Sequence, residues 1–128
     1  MIEVGLKGNY SVTVTDDLTA KEMKSGDLPV FATPAMVASM EAAAVDAVAK
    51  HLEEDCTTVG CGINISHQAP TVSGETVTAE ATLIKAEGRM LYFTVKAYDK
   101  YGTIGEGEHT RVVVIKEKFM QKAKDRSV

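Results

Sequence analysis

Cysteine, tryptophan and long apolar runs are scarce or missing in this sequence of 128 residues, which has two cysteines and no tryptophan. Cys56 and Cys61 are too few for a zinc site, which takes four ligands, or for a disulfide framework. Both are therefore expected to be reduced thiols in a cytoplasmic protein. No stretch approaches the ~20 apolar residues of a membrane span. Residues 1–5 lack the basic and apolar segments of a signal peptide, so we expect neither secretion nor a membrane partner.

Positive charge is also scarce, because 14 lysine and arginine residues stand against 18 acidic ones and the net charge is −4. Proteins that bind nucleic acid usually present a basic surface, so no nucleic-acid partner is expected. The sequence has no glycine-rich phosphate loop, nucleophile elbow or metal-ligand cluster, so neither a metal nor a cofactor is expected. A chain of this length with 45% hydrophobic residues fits one globular domain over residues 1–128.

The clearest predicted element is a helix over residues 33–52. Thr33 suits the N-cap, and Pro34 suits the first helical position, where a missing N–H costs nothing. Apolar residues then recur at helical spacing, with alanines among them. A helix that is apolar on nearly all sides is expected to be buried, and its small side chains allow a sheet to approach closely.

Alternation of apolar and polar residues predicts strands on both sides of the helix. Residues 16–28 are polar and are expected to form a loop or lid, while residues 86–89 and 99–102 are expected to form hairpin turns. In the strand after the helix, His67 is expected to face the helix and Gly60 to face away from it. The fold class predicted is α+β, with a five-stranded antiparallel sheet wrapped around one long helix. The strands are expected at about residues 8–15, 60–67, 75–84, 91–98 and 103–115.

Glu41 is an anomaly, because it interrupts an apolar stripe of the helix that contains Val37, Val45 and Leu52. A carboxylate there is either desolvated, paired or at a cavity, or it lies at the edge of the stripe and reaches solvent. Desolvation would raise its pKa toward the range that suits a general base. Thr33 lies on the same helix face, ~12 Å along the axis from Glu41. Its role as N-cap is by itself a sufficient reason for a threonine, so both interpretations stay open.

Three further polar residues of the predicted strands are candidates for a functional role. His67 is either a satisfied core histidine or a catalytic partner of Glu41, since a paired acid and imidazole can polarise water. His109 and Arg111 share a strand face, from which they either bind phosphate or pair with acidic side chains. The residue pattern alone does not choose between these alternatives.

Several segments resemble the fluoroacetyl-CoA thioesterase family of the hotdog superfamily. The first match is to the central-helix motif of that family and has the sequence VFATPAMVASME, at residues 30–41. Further matches follow at residues 60–71, 107–113 and 117–119, in the same order and with the same spacing. The resemblance covers roughly residues 28–120. It implies a hotdog fold and the hydrolysis of an acyl-CoA thioester to a free acid and coenzyme A.

The resemblance also implies roles for individual residues. Thr33, Glu41 and His67 match the positions that the family uses for thioester hydrolysis, and Gly60 matches a glycine whose backbone holds the thioester carbonyl. His109 and Arg111 are assigned with Gly60 to substrate binding. Family members are homodimers with acyl-CoA at the subunit interface, so a homodimer or a dimer of dimers is expected. The sequence departs from the family at residues 24–29, where the aromatic residues that close the acyl pocket of the fluoroacetyl-specific enzyme are missing.

Two other functions remain as alternatives. One is a non-catalytic hotdog domain that binds acyl-CoA or a small hydrophobic ligand, and the other is a hydratase or dehydratase on the same fold. The presence of Thr33, Glu41 and His67 together favours the thioesterase, because a binding domain has no need of a buried acid and imidazole. The shared fold alone would not decide between them.

Overall fold

The computed structural model describes residues 2–127, which form one five-stranded antiparallel sheet and a long helix. The order of strands across the sheet is β1-β3-β4-β5-β2, so β1 and β2 are its two edges. The α+β class and the antiparallel sheet around a central helix are confirmed. The strands are β1 (Lys7–Thr13), β2 (Cys56–His67), β3 (Thr76–Glu87), β4 (Met90–Asp99) and β5 (Gly102–Ile115).

The helices lie before, within and after this set of strands. A short helix, α1 (Ala20–Met23), interrupts the segment that was predicted as a loop or lid, and a 3-10 turn precedes it at Asp16–Leu18. The central helix is α2 (Thr33–Val48), which continues as a 3-10 turn over Ala49–His51. The chain ends in an exposed helix, α3 (Lys116–Arg126). No helix within residues 2–127 has the length and apolar character needed to cross a bilayer.

The start of α2 differs from the prediction in one respect. Ala32 is the N-cap residue and its side chain accepts no hydrogen bond, while Thr33 is the first helical residue and Pro34 lies in the first turn. The interpretation of Thr33 as N-cap is therefore wrong. Its hydroxyl is free to contact another part of the chain, and the helix begins without a side-chain cap.

One side of α2 forms the core with the sheet. A Cβ atom at Gly8 of β1 would clash with the backbone of Ala43 and Ala47, so the absence of a side chain there lets strand and helix touch. The predicted burial on nearly all sides is wrong for the single chain, because Val45 is 41% exposed. The buried residues of the helix are Ala35, Met36, Ser39, Met40, Ala43, Ala44, Ala47 and Val48.

The helix does not cover the sheet evenly. It packs chiefly on β1 and β3, and it makes few contacts with β2. The helix-facing side of β2 is therefore partly open in the single chain, and Ile63 on that side is 37% exposed. This open half of the sheet carries the polar residues that the sequence singled out.

A β-bulge in β2 changes which way Gly60 faces. Gly60 pairs with Arg111 of β5, whereas Gly62 pairs with Thr110, so the register shifts by one residue between the two glycines. The extra residue brings Gly60 to the helix-facing side. The prediction that Gly60 faces away from the helix is wrong, because it assumed unbroken alternation. His67 lies beyond the bulge and faces the helix as predicted, opposite Gly105.

Candidate active site

Thr33 and His67 form a side-chain pair where α2 begins and β2 ends. The Thr33 hydroxyl oxygen lies 2.8 Å from Nδ1 of His67. The other ring nitrogen, Nε2, is buried and has no hydrogen-bond partner among residues 2–127. Burial lowers the pKa of His67, against an opposing effect of the Ala69 backbone. The imidazole is thus neutral near pH 7 and keeps one nitrogen free for a ligand.

A cavity of about 290 Å³ opens beside this pair. Its walls come from α1, from the residues before α2 and from the loop that follows β2. The one aromatic side chain in its lining is Phe31, which is itself buried in the core. The lining residues are Ala20, Ser25, Val30, Phe31, Thr33, His67, Gln68, Ala69 and Pro70.

Glu41 lies in a second group of polar residues, further along the helix. Its Oε2 is 3.3 Å from Nη1 of Arg111 and 4.0 Å from Nε2 of His109. A Cβ atom at Gly60 would lie 2.5 Å from the same oxygen, so the carboxylate occupies the space that a side chain would fill. The Glu41 side chain is 40% exposed, which means that the apolar stripe containing it lies at the edge of the buried face.

Arg111 is anchored by β2 while it contacts Glu41. Its Nε donates to the Thr58 hydroxyl at 2.9 Å, and its Nη2 donates to the Thr58 carbonyl at 3.0 Å. Burial lowers the pKa of the guanidinium, and the Glu41 carboxylate opposes that effect. A buried charge that is paired and hydrogen-bonded in this way has little freedom to move.

His109 is held in one tautomer by the bulge. Its Nδ1 lies 2.7 Å from the Gly62 carbonyl oxygen, which only accepts, so Nδ1 carries the hydrogen. Its Nε2 then accepts from Nη1 of Arg111 at 3.1 Å. Burial is the main reason that the pKa of His109 is lowered, and the Arg111 charge lowers it further, while the Gly62 carbonyl and Glu41 act the other way. His109 is a neutral acceptor here.

The two groups lie apart within a single chain. We call Thr33 and His67 the threonine–histidine pair, and Glu41, Gly60, His109 and Arg111 the glutamate cluster. His67 pairs with Gly105 across the sheet and Gly60 with Arg111, and six residues of extended strand span ~20 Å. The pairing of Glu41 with His67, one of the two interpretations left open for that histidine, therefore does not occur within one chain.

Thr58 and the Gly62 carbonyl were missed by the sequence reasoning, although both hold the glutamate cluster together. An arginine on the helix-facing side of a strand signals that buried partners exist, but it does not say which residues they are. No group of three or more potential metal ligands among His, Cys, Asp and Glu occurs in residues 2–127. Both cysteines are free thiols.

Comparison with known proteins gives a consistent result. Residues 14–117 match the family model described as FlK, fluoroacetyl-CoA-specific thioesterase. A curated fluoroacetyl-CoA thioesterase from Streptantibioticus cattleyicolor is 43% identical over 98 residues, which is 77% of this chain and 70% of that protein.

Solved structures resemble this chain over nearly its whole length. A FlK variant crystallised with acetyl-CoA has a TM-score of 0.93 at 34% identity, covering 99% of this chain and 100% of that one. A hot-dog-like protein from Thermanaerovibrio acidaminovorans has a TM-score of 0.86 at 26% identity, covering 98% and 93% of the two chains. The predicted hotdog fold is confirmed.

Proposed function

The chain belongs to the fluoroacetyl-CoA-specific thioesterase family, and on that basis we propose that it hydrolyses an acyl-CoA thioester to a free acid and coenzyme A. It is a thioesterase of hotdog fold. The observation that best supports a specific site is the position of the Glu41 carboxylate, which lies over the side-chain-free backbone of Gly60 and is held by Arg111. The protein works in the cytoplasm, on a small-molecule substrate, and the reaction needs no cofactor.

Glu41 supplies the group that starts the reaction. It either takes a proton from water while the water oxygen attacks the thioester carbonyl carbon, or attacks that carbon itself. Both routes need an ionised carboxylate close to the carbonyl. The backbone N–H of Gly60 stabilises the oxyanion that forms, together with the N-terminus of α2 of the partner subunit. In the first route, the proton that Glu41 took from water ends on the leaving sulfur when the C–S bond breaks. In the second route, the acyl group stays on Glu41 as an anhydride, which water then hydrolyses to the free acid, and the proton released from that water ends on the thiolate.

His67 acts on the leaving group, and Thr33 orients His67. If the Thr33 hydroxyl donates to Nδ1, the hydrogen of the neutral ring is on Nε2, the nitrogen without a partner in this structure. That N–H gives its proton to the leaving thiolate, and Nε2 then takes up the proton that came from water, so the ring ends neutral. Thr33 thus holds the imidazole in place.

A homodimer would bring the two groups together. β2 is an edge strand of 12 residues, and the helix-facing half of the sheet beside it is partly open. An exposed edge of this length is stabilised by pairing with a second strand. If two copies of β2 pair antiparallel about a twofold axis between residues 63 and 64, Gly60 lies opposite the partner subunit's His67. The glutamate cluster of one subunit then faces the threonine–histidine pair of the other.

A hydrolysis screen tests this function. The purified protein is incubated with short, branched and aromatic acyl-CoAs, and free thiol is measured alongside the Glu41→Gln variant. General acid–base groups contribute ~10²–10⁴-fold, so kcat of the variant is expected to fall by about that factor on every substrate that the wild type cleaves. A folded, dimeric Glu41→Gln variant with nearly full activity would contradict the mechanism. A wild-type protein that binds acyl-CoAs but releases no thiol would identify the non-catalytic domain instead.

A further inference from the structure

We propose that Arg111 and His109 are positioning residues that hold Glu41 in place for the reaction. In this arrangement His109 acts only as a hydrogen-bond relay between the β2 bulge and Arg111. This inference rests on the proposed function of Glu41. Of the two alternatives that the sequence left open for His109 and Arg111, pairing with an acid holds for Arg111, which hydrogen-bonds to Glu41, while His109 hydrogen-bonds to Arg111. The inference also adds Thr58 and Gly62 to the residues on which the reaction depends.

The hydrogen bonds of Arg111 occupy four of its five N–H donors. Nε and Nη2 are bound to Thr58, and Nη1 is shared between His109 and Glu41. The residue is only 6% exposed, so a substrate phosphate has no access to the guanidinium. The one partner of Arg111 that reaches solvent is the Glu41 carboxylate. The structure thus couples Arg111 to the reaction through Glu41.

The two nitrogens of His109 are both occupied, in contrast to those of His67. Nδ1 donates to the Gly62 carbonyl, and Nε2 accepts from Arg111. The ring is 2% exposed and lies near Phe93, with 6.2 Å between ring centroids. A histidine that transfers protons in a reaction needs one nitrogen within reach of the substrate, and His109 has none.

A continuous series of contacts therefore links the bulge to the carboxylate. It runs from the Gly62 carbonyl through His109 and Arg111 to Oε2 of Glu41. This oxygen lies over the backbone of Gly60, in the space that a side chain would fill. Gly60 and Gly62 flank the register shift, so the bulge sets both ends of the series. A misplacement of a catalytic group by about 1 Å can cost ~10²-fold in rate. The relay would prevent such a shift of Glu41.

Two substitutions at His109 separate a relay from a proton-transfer group. Glutamine carries one donor and one acceptor but does not titrate, whereas leucine carries neither. His109→Leu is expected to lower kcat about 10- to 100-fold with little change in KM, because Glu41 loses its position. His109→Gln is expected to keep a kcat about tenfold or more above that of the leucine variant. Equal loss in the two variants, with both folded by circular dichroism, would overturn the relay.

A double-mutant cycle with Arg111→Lys tests whether Arg111 works through Glu41. Lysine keeps the charge but lacks the planar guanidinium, whose separate N–H donors bind Thr58 and Glu41 at the same time. Because Glu41 then loses its position, kcat should fall about 10- to 100-fold at nearly constant KM. In the Glu41→Gln background the same change should have almost no further effect. Additive losses, or a rise in KM in place of a fall in kcat, would overturn the inference.

A milder variant covers the case in which Arg111→Lys does not fold. Thr58→Val removes only the contact to Nε and leaves the Thr58 carbonyl in place, and it should show the same lack of additivity with Glu41→Gln. If Thr58→Val keeps full kcat and its effect simply adds to that of Glu41→Gln, Thr58 does not hold Arg111 in place for the reaction. If instead Glu41→Gln alone retains activity, the proposed function fails, and that result is distinct from a failure of the relay.

Discussion

The hydroxyl oxygen of Thr33, at the start of α2, lies 2.8 Å from Nδ1 of His67, at the end of β2. The two residues are 34 positions apart in the sequence, and the contact joins the helix to an edge strand. Because the hydroxyl is used here and does not cap the helix, a change at Thr33 separates catalysis from helix stability. The first prediction uses that separation.

Replacing Thr33 with valine should affect activity more than stability. Valine keeps the shape of threonine but removes the hydroxyl, so the His67 ring loses its partner and kcat is expected to fall about 10- to 100-fold. The melting temperature should change little, because one partly exposed hydrogen bond contributes only ~0.5–1.5 kcal/mol. Thr33→Ser keeps the hydroxyl and should retain most of the activity. A large loss of melting temperature in Thr33→Val would show that the hydroxyl stabilises the fold.

Adding a methyl group at Gly60 should displace Glu41. The new Cβ atom would lie 2.5 Å from Oε2 of Glu41 and 3.2 Å from Nη1 of Arg111, so the carboxylate has to move. We expect Gly60→Ala to lower kcat about 10- to 100-fold. Gly62→Ala is the matched control, two residues along the same strand, because its Cβ atom would have no heavy atom within 4 Å. Equal kinetics in the two variants would contradict the assigned position of Glu41.

The sequence was enough to predict most of the fold, because each main element has a local signal. Pro34 and the apolar spacing after it indicate where α2 begins, and alternation indicates the strands. The bulge between Gly60 and Gly62 has no such signal, and it reverses the facing of every residue on one side of it. The orientation of Gly60 was therefore wrong while that of His67 was correct.

The site was only partly predictable for a different reason. Glu41 was identifiable as a carboxylate in an apolar stripe, but its partner depends on which strand lies under the helix. Strand β5 brings Arg111 and His109 to Glu41, whereas the sequence offered His67 as one possible partner of Glu41. Long-range register decides such contacts, and a local pattern does not contain it.

The stability of the fold should depend on pH through His109. Because burial lowers the pKa of His109 below its ordinary value of 6.5, the unfolded chain binds a proton at a higher pH than the folded chain does. The contribution of His109 to stability is thus fully present above about pH 6.5 and is lost as the pH falls further. Urea unfolding of wild type and His109→Gln between pH 7 and 5 should show that the variant loses less stability. Parallel curves would contradict this.

The enzyme should not distinguish strongly between fluoroacetyl-CoA and acetyl-CoA. The cavity beside His67 is walled by Ser25 where the fluoroacetyl-specific enzyme is expected to have an aromatic lid, and Phe31 is buried in the core and cannot close over the acyl group. We expect kcat/KM for the two substrates to agree within about tenfold, since a small apolar difference in a pocket is worth only ~1–3 kcal/mol. A much larger preference for the fluorinated substrate, measured side by side, would contradict the prediction.

Mixed dimers should reveal whether one site takes residues from two subunits. His67→Ala damages the threonine–histidine pair, and Glu41→Gln damages the glutamate cluster. If the groups meet across a twofold axis, a dimer with one chain of each kind has one site with both defects and one intact site. Random mixing then makes about one quarter of all sites intact. Co-expression of the two inactive chains should therefore restore about one quarter of wild-type activity.

A second mixture provides the control for this experiment. His67→Ala combined with Thr33→Val damages the same group in both chains, so every site in the mixed dimer has a defect and no activity beyond that of the separate variants is expected. Different affinity tags on the two chains would verify that mixed dimers form. If mixed dimers of His67→Ala and Glu41→Gln form but remain inactive, the glutamate cluster does not work with the partner subunit's His67. The twofold axis between residues 63 and 64 would then be wrong, since only pairing about that axis brings Gly60 opposite His67.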